Sequence, residues 1–429
     1  MKIGVIGSGG REHAILRALW RSPDCEKLYA IPGNGGMSEA ETVPGLKASD
    51  LDGIVKFSRE KELDYVVVSP DEPLVLGLVD RLMEAGIPAF GPSRSAALLE
   101  GSKVFAKEFM KRHGIPSADY RVFSELSEAE KYIEDCELPI VIKADGLALG
   151  KGVIIAKSRE EARIGLWSIM GEKKFGHSGD RVVVEEYLEG PEVSVLSFTD
   201  GERIVPMLSS MDHKRALDGD LGPNTGGMGV IAPNPCYTEE IAGECMERIL
   251  LPTIRGMKEE GRIFRGCLYF GLMLSGKGPK VIEYNCRFGD PEAQAVLPLL
   301  RSDLLPILLS CTRGGLSEEL VRWKAGHSCC VILASDGYPG AFESGYEITG
   351  TKLCREVYMA GVERKEGRLF SSGGRVLGVV GTGESLPEAI ESAYRDVEKV
   401  YFKNMRYRRG HRSESAPPDG RGRWYIESM

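Results

Sequence analysis

Short apolar runs alternate with amphipathic stretches along the first ninety residues of the chain. Apolar runs bounded by Gly and Pro predict buried strands, and apolar residues spaced three and four positions apart predict helices. The predicted order is strand 2–6, helix 12–21, strand 27–31, strand 65–69, helix 74–85 and strand 88–90. Such alternation favours a doubly wound α/β fold, in which helices cover both faces of a parallel sheet.

After residue 100 the pattern predicts several further units. A helix over 100–114 is followed by strands 139–143 and 152–156 around a loop, helix 159–170 and strand 181–186. Next come strands within 192–211, a Gly- and Pro-rich loop over 217–235, a helix near 239–261, strands 266–274 and 280–285, and a helix from 292. Strands 329–334 and 375–381 with a helix over 387–400 predict a last α/β unit.

The changes in the pattern of predicted strands and helices indicate domains at 1–102, 103–325 and 326–402, with a smaller lobe of the middle domain at about 121–188. Residues 403–429 differ, because 403–423 holds seven Lys or Arg among Ser, Pro and Gly, with little apolar periodicity. That composition predicts a flexible tail, without which the chain would still fold. A nucleic-acid-binding arm is the alternative interpretation.

Composition and charge narrow the class of protein. Hydrophobic residues make up 42% of the chain, and 55 Lys and Arg against 63 Asp and Glu give a net charge of −8. An acidic chain argues against broad nucleic-acid binding. The N-terminal residues do not have the pattern of a targeting segment, so none is expected, and no run of 18 apolar residues occurs. Ten scattered Cys without a Cys-x-x-Cys pair predict free thiols. We therefore expect a cytoplasmic enzyme without membrane or nucleic-acid partners.

Glycine is over-represented, at 53 of 429 residues against a usual share of about 7%. The first cluster, Gly7-Ser8-Gly9-Gly10, follows a strand and opens a helix, as a dinucleotide-binding loop does. Glu12, however, occupies the third glycine position of that fingerprint. A turn that binds another phosphate at the helix N-terminus is favoured over a nicotinamide cofactor.

A second glycine cluster, from Gly146 to Gly152, resembles a P-loop only in part. Its spacing is one residue short, and it joins two predicted strands, whereas a P-loop leads into a helix. A hairpin loop that closes over nucleotide phosphates would explain these glycines together with Lys143 and Lys151. A plain glycine hairpin is the alternative.

The strand 280–285 places Glu283, Asn285 and Arg287 on one face, because side chains alternate along a strand. Two oxygen ligands beside a guanidinium suit a magnesium–phosphate site, since magnesium takes few protein oxygens and completes its shell with phosphates and water. A half-exposed polar face is the alternative. Covalent Ser or Cys catalysis has no support in any triad or Gly-x-Ser-x-Gly elbow, and His213 has no second His or Cys at ligand spacing.

Taken in order, the motifs closely resemble one family, the phosphoribosylamine–glycine ligases or glycinamide ribonucleotide synthetases, which are ATP-grasp enzymes. The resemblance covers residues 1 to about 402, and its long central motifs are highly specific. The matching segments are Gly7-Ser8-Gly9-Gly10-Arg11-Glu12-His13, Glu100-Gly101-Ser102-Lys103, Ile142-Lys143-Ala144-Asp145-Gly146-Leu147-Ala148-Leu149-Gly150-Lys151-Gly152, Asp212-His213-Lys214-Arg215, Gly222-Pro223-Asn224-Thr225-Gly226-Gly227-Met228-Gly229, Glu283-Tyr284-Asn285-Cys286-Arg287-Phe288-Gly289-Asp290-Pro291-Glu292 and Gly373-Gly374-Arg375-Val376-Leu377.

The resemblance implies an N-terminal doubly wound domain, a two-lobed ATP-grasp core and a small C-terminal α/β domain. It implies a ligase that joins glycine to 5-phosphoribosylamine with ATP and Mg²⁺ or Mn²⁺, giving glycinamide ribonucleotide, ADP and phosphate in purine synthesis. A glycyl phosphate intermediate is expected, because amide formation needs an activated carboxyl group. Such phosphoryl transfer depends on positioning and electrostatics, which agrees with the missing triad.

The resemblance also implies roles for individual residues. Residues expected to bind ATP are Lys103, Lys143, Gly150, Lys151, Gly152, Glu185, Glu186, Tyr187, Leu188 and Glu192. The expected metal ligands are Glu283 and Asn285, and the candidates for the ribose phosphate are Gly9, Gly10, Asn34 and Gly35. The expected catalytic residues are Arg287 for the phosphoryl group or the glycine carboxylate, Asp212 for the glycine amine, and Lys214.

Two segments depart from the family pattern. The strand before Glu283 reads Phe270-Gly271-Leu272-Met273 and carries no acid, so a second metal held by protein groups alone is not expected. The chain reads Arg408-Arg409-Gly410-His411 where the family commonly has an Arg-Lys-Asp-Ile-Gly type segment. Another ATP-grasp carboxylate–amine ligase and a non-catalytic nucleotide-binding regulator stay open as alternatives, and a monomer is expected.

Overall fold

The computed structural model describes residues 1–147 and 152–411, and its N-terminal part is built on a parallel sheet. The elements of this part are β1 (Lys2–Gly7), α1 (Gly10–Trp20), β2 (Lys27–Pro32), β3 (Glu41–Thr42), α2 (Leu51–Glu60), β4 (Tyr65–Val68), α3 (Asp71–Leu76), α4 (Leu78–Glu84) and β5 (Ala89–Phe90). The strand order is β3-β2-β1-β4-β5, with parallel pairing throughout. The predicted doubly wound sheet is confirmed, and its winding reverses between β1 and β4.

Two local expectations for this part need correction. The helix predicted over 74–85 is two helices, α3 and α4, because Gly77 between them has φ 91°, a left-handed conformation that glycine tolerates. Helix α2 is missing from the predicted elements. It is capped by Asp50, whose side chain accepts a hydrogen bond from the Gly53 N–H.

A small antiparallel lobe follows two helices, α5 (Arg94–Gly101) and α6 (Lys103–Arg112). Ser102 separates these helices and caps α6, so the helix predicted over 100–114 begins later than expected. The lobe consists of β6 (Tyr120–Phe123), α7 (Leu126–Asp135), β7 (Ile140–Ala144), β8 (Val153–Ala156), α8 (Arg159–Leu166) and β9 (Val182–Glu186). Its strand order is β6-β9-β7-β8, and the strands and helix predicted within it are confirmed.

The central part combines antiparallel strands with a long helical run. Its elements are β10 (Glu192–Thr199), β11 (Ile204–Pro206), β12 (Met211–Asp212), β13 (Arg215–Leu217), β14 (Leu221–Asn224), β15 (Gly229–Ala232), α9 (Glu239–Cys245), α10 (Leu251–Glu259), β16 (Gly266–Ser275), β17 (Gly278–Asn285), α11 (Glu292–Val296) and α12 (Leu304–Arg313). A π-helical turn at Met246–Leu250 joins α9 to α10, which matches the single helix predicted near 239–261. The loop predicted over 217–235 instead contains β14 and the fully buried β15.

The last elements are β18 (His327–Ser335), β19 (Glu347–Ile348), β20 (Val357–Met359), β21 (Val362–Lys365), β22 (Arg368–Ser371), β23 (Arg375–Gly383), α13 (Leu386–Val397) and β24 (Met405–Arg406). The main C-terminal sheet has the order β12-β15-β18-β23-β20, so the central part supplies two of its strands. Strand β24 also pairs with β18.

The flexible tail predicted from residue 403 is wrong for residues 405–411. Met405 and Arg406 form a strand, and the side chains of Arg408 and His411 are fully buried. This segment is fixed by backbone pairing and by buried polar side chains. Neither produces apolar periodicity in the sequence, and the prediction was based on the absence of that periodicity. Residues 412–429 lie outside the described residues.

One apolar core joins the parts of the molecule. The Phe288 ring stacks on Phe90 of the N-terminal sheet at a centroid distance of 5.9 Å and meets Phe198 of the central sheet edge-on at 6.0 Å. Val380 of the C-terminal sheet belongs to the same cluster. Across the described ranges, no helix has both the length and the apolar character needed to cross a membrane.

Candidate active site

A cavity of about 1210 Å³ lies between α6, the small lobe, the β13–β14 hairpin and β17. The residues from the sequence analysis that line it are Lys103, Lys143, Gly152, Glu185, Glu186, Tyr187, Leu188, Glu192, Asp212, Lys214, Glu283, Asn285 and Arg287. Gly150 and Lys151 lie outside the described residues. The four glycine-loop residues Gly9, Gly10, Asn34 and Gly35 are not among its described lining residues.

Lys103 is held at the cavity by the first turn of α6. The Ser102 hydroxyl donates to Asp145 Oδ1 at 2.8 Å, and the Val104 N–H donates to the same oxygen at 3.1 Å. The Lys103 ammonium donates to the Gly146 carbonyl at 2.8 Å. Burial lowers the pKa of Lys103, although nearby Glu283 opposes the shift. This cation therefore lies at the start of the second glycine cluster.

Glu185, near the end of β9, lies between two buried ammonium groups. Its Oε2 is 3.1 Å from Lys107 Nζ and 3.0 Å from Lys143 Nζ. Burial lowers the pKa of Lys107 to about 8, against the attraction of Glu185. Glu185 Oε1 is buried and has no hydrogen-bond partner in the described part of the chain. A buried acceptor of this kind can receive a hydrogen bond from a ligand.

The segment after β9 forms one wall of the cavity. Tyr187 and Leu188 line this wall, and Glu186 beside them pairs with Lys280 at 3.2 Å. Residues 185–188, which the resemblance implies as ATP-binding, thus lie together, next to the cations of β7 and α6.

Lys214 and Glu192, which the sequence analysis gave separate roles, contact each other across the cavity wall. Lys214 Nζ lies 2.7 Å from Glu192 Oε2. Burial would lower the pKa of Lys214, but Glu192 and Glu283 raise it well above its usual value. Lys214 therefore stays charged at neutral pH.

Strand β17 brings Glu283 and Asn285 to the cavity, and Arg287 follows just after the strand, as the alternation predicts. Arg287 Nη2 donates to Asn285 Oδ1 at 3.3 Å and lies 3.1 Å from Glu100 Oε1. Arg287 Nε is buried without a hydrogen-bond partner among the residues described here. One nitrogen of this guanidinium is thus left to meet an anion.

The Glu283 carboxylate is the centre of a cluster of cations. Burial would raise its pKa, but Lys214, Lys143, Lys103 and Arg287 hold the pKa below its usual range. Four cationic groups thus lie together on this wall, although further carboxylates also line the cavity. Such groups can form charge-assisted hydrogen bonds to the phosphates of a nucleotide.

Two further carboxylates, Asp212 and Glu292, share the cavity. Burial and the nearby Glu292 raise the pKa of Asp212 well above its usual value, and burial also raises the pKa of Glu292. The Ser194 hydroxyl donates to Glu292 Oε1 at 3.3 Å. Asp212 Oδ1 is buried and accepts no hydrogen bond from the described residues. An ammonium group bound beside these carboxylates would favour their charged forms and so oppose the rise in pKa.

The N-terminal glycine loops lie next to each other. Asn34 Nδ2 donates to the Ser8 carbonyl at 2.8 Å, which joins the loop after β2 to the loop after β1. The Gly9 N–H donates to Glu12 Oε2 at 2.6 Å, so the first amide of the α1 N-terminus already has a carboxylate partner.

The loop after β2 is also attached to the C-terminal part. The Gly35 N–H donates to the Val362 carbonyl at 2.9 Å, and Asn34 Nδ2 donates to the Met359 carbonyl at 2.9 Å. The amides of Gly9 and Gly35 are therefore bonded to protein acceptors in this structure. The ribose-phosphate role of these loops stays a prediction.

No group of three His, Cys, Asp or Glu side chains within residues 1–147 and 152–411 could hold a metal ion. Glu283 and Asn285 nevertheless offer two oxygen donors on one wall of the cavity. Magnesium commonly takes one or two protein oxygens and shares the rest of its shell with phosphates and water. The donor set therefore fits a metal that is bound together with a nucleotide.

Sequence reasoning missed two side chains of the site, Lys107 and Glu292. Lys107 follows Lys103 by four residues on α6, a spacing that places both on one helix face and could have indicated it. Glu292 stands in a quoted motif, but only the fold shows that it shares a cavity with Asp212. Residues 80 positions apart give no local signal of their proximity.

Comparisons with known proteins agree with this geometry. Models of phosphoribosylglycinamide synthetase match the chain in three blocks: the N domain over residues 1–100, the ATP-grasp (A) domain over 101–293 and the C domain over 328–410. The chain is 44% identical to the phosphoribosylamine–glycine ligase of Caldanaerobacter subterraneus over 95% of this chain and 99% of that protein. It is also 44% identical to the human trifunctional purine biosynthetic protein adenosine-3, over 100% of this chain and 43% of that protein.

Solved structures give the same result for the fold. The crystal structure of phosphoribosylamine–glycine ligase from Thermotoga maritima has a TM-score of 0.83 and 37% identity, over 95% of this chain and 99% of that chain. The biotin carboxylase domain of Hydrogenobacter thermophilus 2-oxoglutarate carboxylase has a TM-score of 0.72 at 18% identity, over 94% of this chain and 91% of that chain, a likeness of fold alone. The resemblance and fold class expected from the motifs are confirmed. The chain belongs to the phosphoribosylglycinamide synthetase family of ATP-grasp ligases.

Proposed function

We propose that the cavity joins glycine to 5-phosphoribosylamine, with ATP as the energy source, through a glycyl phosphate intermediate. The products are glycinamide ribonucleotide, ADP and phosphate, the reaction of a phosphoribosylamine–glycine ligase in purine biosynthesis. The observation that carries the assignment of the site is the set of four cations around Glu283 in one cavity. It suits a site where phosphate charge accumulates.

ATP is proposed to lie between the small lobe and β17. Lys103 and Lys143 would contact its phosphates, and the Gly150-Lys151-Gly152 segment would cover them. The adenine would lie against the segment 185–188, where Glu185 Oε1 is a buried acceptor without a partner among the described residues. Glu192 would take the ribose, and its contact with Lys214 then rearranges when the nucleotide binds.

Enzymes of this kind use ATP with Mg²⁺ or Mn²⁺, and Glu283 and Asn285 are the residues that would hold the ion. When bound, the ion offsets the charge of the ATP phosphates. The chain's own cations act on the same charge, because Lys143 and Arg287 face the carboxylate of Glu283. Their fixed positions require no reorganisation as charge moves during the reaction.

The proposed chemistry has two steps. A glycine carboxylate oxygen attacks the γ-phosphorus of ATP, the bond to the bridging oxygen breaks, and ADP leaves. The amine nitrogen of phosphoribosylamine then attacks the glycyl carbonyl carbon, and phosphate leaves with the bonding electron pair while the nitrogen loses a proton. Asp212 would hold the glycine ammonium, and Arg287 would hold the transferring phosphoryl group or the carboxylate.

The ribose phosphate is proposed to bind at the N-terminal loops that contain Gly9, Gly10, Asn34 and Gly35. Support comes from the hydrogen bond that joins the two loops at the carboxyl ends of β1 and β2. Ligands of doubly wound sheets bind at this edge. The Gly9 N–H would have to exchange Glu12 for the phosphate.

Isotope transfer tests the intermediate. With both carboxylate oxygens of glycine labelled with ¹⁸O, one label should appear in the released phosphate, because that oxygen bridges carbon and phosphorus in glycyl phosphate. Unlabelled phosphate formed alongside the amide product would rule the intermediate out. Omitting phosphoribosylamine should slow phosphate release strongly, and equal release without it would contradict the assignment as a ligase of this amine.

The proposed setting is the cytoplasm, with a single chain acting on small-molecule substrates. All ten cysteines lie in the described residues and are free thiols, which suits a reducing compartment. Sedimentation of the purified protein should give one species of single-chain mass. A dimer at assay concentrations would contradict the monomer.

A further inference from the structure

Residues 405–411 form a short C-terminal strap that is packed into the fold. Its first residues pair with β18, at Ser335 with Met405 and at Ala334 with Arg406. The side chains of Arg408 and His411 have no exposed surface. Burial of a guanidinium is costly unless its donors are bonded, so the position of Arg408 calls for specific partners.

Arg408 bonds the hairpin that follows the Asp212 segment. Its Nη1 donates to the Arg215 carbonyl at 3.1 Å and to Asp220 Oδ1 at 3.2 Å. The next strap residue adds a backbone contact, since the Arg409 N–H donates to Asp218 Oδ1 at 2.6 Å. The strap thus holds both the first residue of β13 and the turn that links β13 to β14.

His411 packs behind the same segment. Its ring meets the His213 ring edge-on, with centroids 4.5 Å apart, and the Tyr394 hydroxyl is 2.5 Å from His411 Nδ1. A Cβ on Gly229 would overlap the His411 ring, so the glycine of β15 makes room for it. The His213 N–H donates to the Gly229 carbonyl at 2.9 Å, which ties this packing to the backbone of the segment.

The two imidazoles are uncharged at neutral pH. Burial and the nearby Arg408 lower the pKa of His213 to about 3, and burial together with His213 lowers the pKa of His411 well below its usual value. We therefore expect neither ring to gain a proton near neutral pH.

Asp212 and Lys214 flank His213 in the sequence, and both line the cavity. We propose that Arg408 and His411 are positioning residues, which fix the backbone of residues 212–215 so that Asp212 and Lys214 face the glycine substrate. The inference rests on the proposed role of Asp212 in holding glycine and on the expected catalytic role of Lys214. A displacement of about 1 Å in such a segment can cost about 100-fold in rate, which is why a buried support behind it matters.

The test compares two neighbouring arginines of the strap. Arg408→Met removes the hydrogen bonds to Arg215 and Asp220 and keeps most of the side-chain volume. Arg409→Met, the matched control, changes an exposed side chain that lies over the Tyr407 ring. Kinetics with each substrate varied, ATP titration by calorimetry and thermal unfolding are measured for both variants.

For Arg408→Met we expect kcat/KM for glycine to fall by at least about 10-fold, with the dissociation constant for ATP within about twofold of wild type. Arg408→Lys should recover part of the loss, because a positive donor is restored. Arg409→Met should behave as wild type. The inference would be overturned if folded Arg408→Met kept wild-type kinetics for glycine. It would also be overturned if the affinity for ATP fell by as large a factor as kcat/KM for glycine.

If Arg408→Met does not fold, His411→Asn provides an independent test. It keeps a polar group for Tyr394 but removes the ring that packs on His213, and the same selective loss for glycine is expected. Asp212→Asn separates this inference from the proposed function. If Asp212→Asn loses glycine binding while the strap variants keep it, the strap inference alone fails, whereas normal glycine kinetics in Asp212→Asn would remove the proposed glycine site.

Discussion

At the scale of single residues, the main electrostatic feature of the site is one carboxylate surrounded by positively charged side chains. Glu283 lies among Lys103, Lys143, Lys214 and Arg287, which hold its pKa below the usual range in spite of burial. The carboxylate moderates the repulsion between these cations in the free protein, and we propose that it also offers an oxygen to a metal ion that binds with ATP.

Glu283→Gln should therefore lower kcat by at least about 100-fold, or about 2.7 kcal/mol of transition-state stabilisation, while the protein still folds. The amide keeps the shape of the side chain but removes its charge. Steady-state kinetics over a magnesium titration measure the effect, and Glu202→Gln, a change at an exposed residue paired with Lys258, is the control. Activity like that of wild type at limiting magnesium would exclude Glu283 as a ligand.

Lys107 gives a prediction about pH. Its folded pKa of about 8 lies below the value of about 10.4 in an unfolded chain, because burial outweighs the attraction of Glu185. Between these pH values the unfolded state binds the extra proton, so this group makes the free energy of unfolding rise with pH, by about 3 kcal/mol in total. Below pH 8 the full cost of burying the charged amine is present.

The difference in unfolding free energy between wild type and Lys107→Met should accordingly shift in favour of wild type from pH 7.5 to pH 10. Urea unfolding at a series of pH values measures it. Lys111→Met, on the exposed side of the same helix, should show no such trend. An equal dependence on pH in wild type and Lys107→Met would show that Lys107 is not the titrating group.

At the scale of elements, the start of α1 is packed tightly against α11. A Cβ on Gly10 would overlap Nε2 of Gln294, whose amide donates to Asp290 Oδ1 at 2.8 Å. Gly10 does not have a positive φ, so a larger residue there would meet the Gln294 side chain and would not strain the backbone. The contact links the first glycine loop to Asp290, which lines the cavity.

Gly10→Ala should lower the free energy of unfolding by about 1–3 kcal/mol through overpacking and raise KM for phosphoribosylamine. ATP affinity, which rests on other elements, should stay close to wild type. Thermal unfolding, kinetics and an ATP titration together measure this, with Gly45→Ala as the control, since nothing lies within 4 Å of its added Cβ. A collapse of ATP affinity in folded Gly10→Ala would make the first glycine loop a nucleotide site.

At the scale of the whole molecule, distant parts of the chain meet around one cavity. Arg375 of β23 lies 3.3 Å from Asp290 Oδ1, and the C-terminal strap holds the hairpin after Asp212. The C-terminal part therefore contributes to the geometry of the site, although the lining is drawn mainly from the central part.

Truncation tests this dependence. A chain that ends at Phe402 loses β24, Arg408 and His411, so we expect a lower melting temperature and strongly reduced activity, contrary to the expectation from the sequence alone. A chain that ends at His411 should keep the melting temperature and the activity of the full chain, because residues 412–429 are rich in charged, Ser, Pro and Gly residues. The melting temperature and the turnover rate are measured for both truncated chains. If the chain that ends at Phe402 matched wild type in both, the strap would be dispensable.

The sequence by itself determined the local features of this protein. Alternating apolar runs predicted the N-terminal parallel sheet, because strand and helix periodicities are properties of neighbouring residues. The alternation on β17 placed Glu283 and Asn285 on one wall for the same reason. The motifs identified the family, since they hold many side chains and glycines at fixed spacing.

The tertiary structure alone decided which distant groups meet. Lys107 meets Glu185, which also pairs with Lys143, only because α6 packs against β9. Strand β15 is buried because it lies between β12 and β18, and its three apolar residues, Val230 to Ala232, are too short a run to show this from the sequence. Arg408 is buried through hydrogen bonds to a backbone almost two hundred residues away, and such polar pairing leaves no periodic pattern in the sequence.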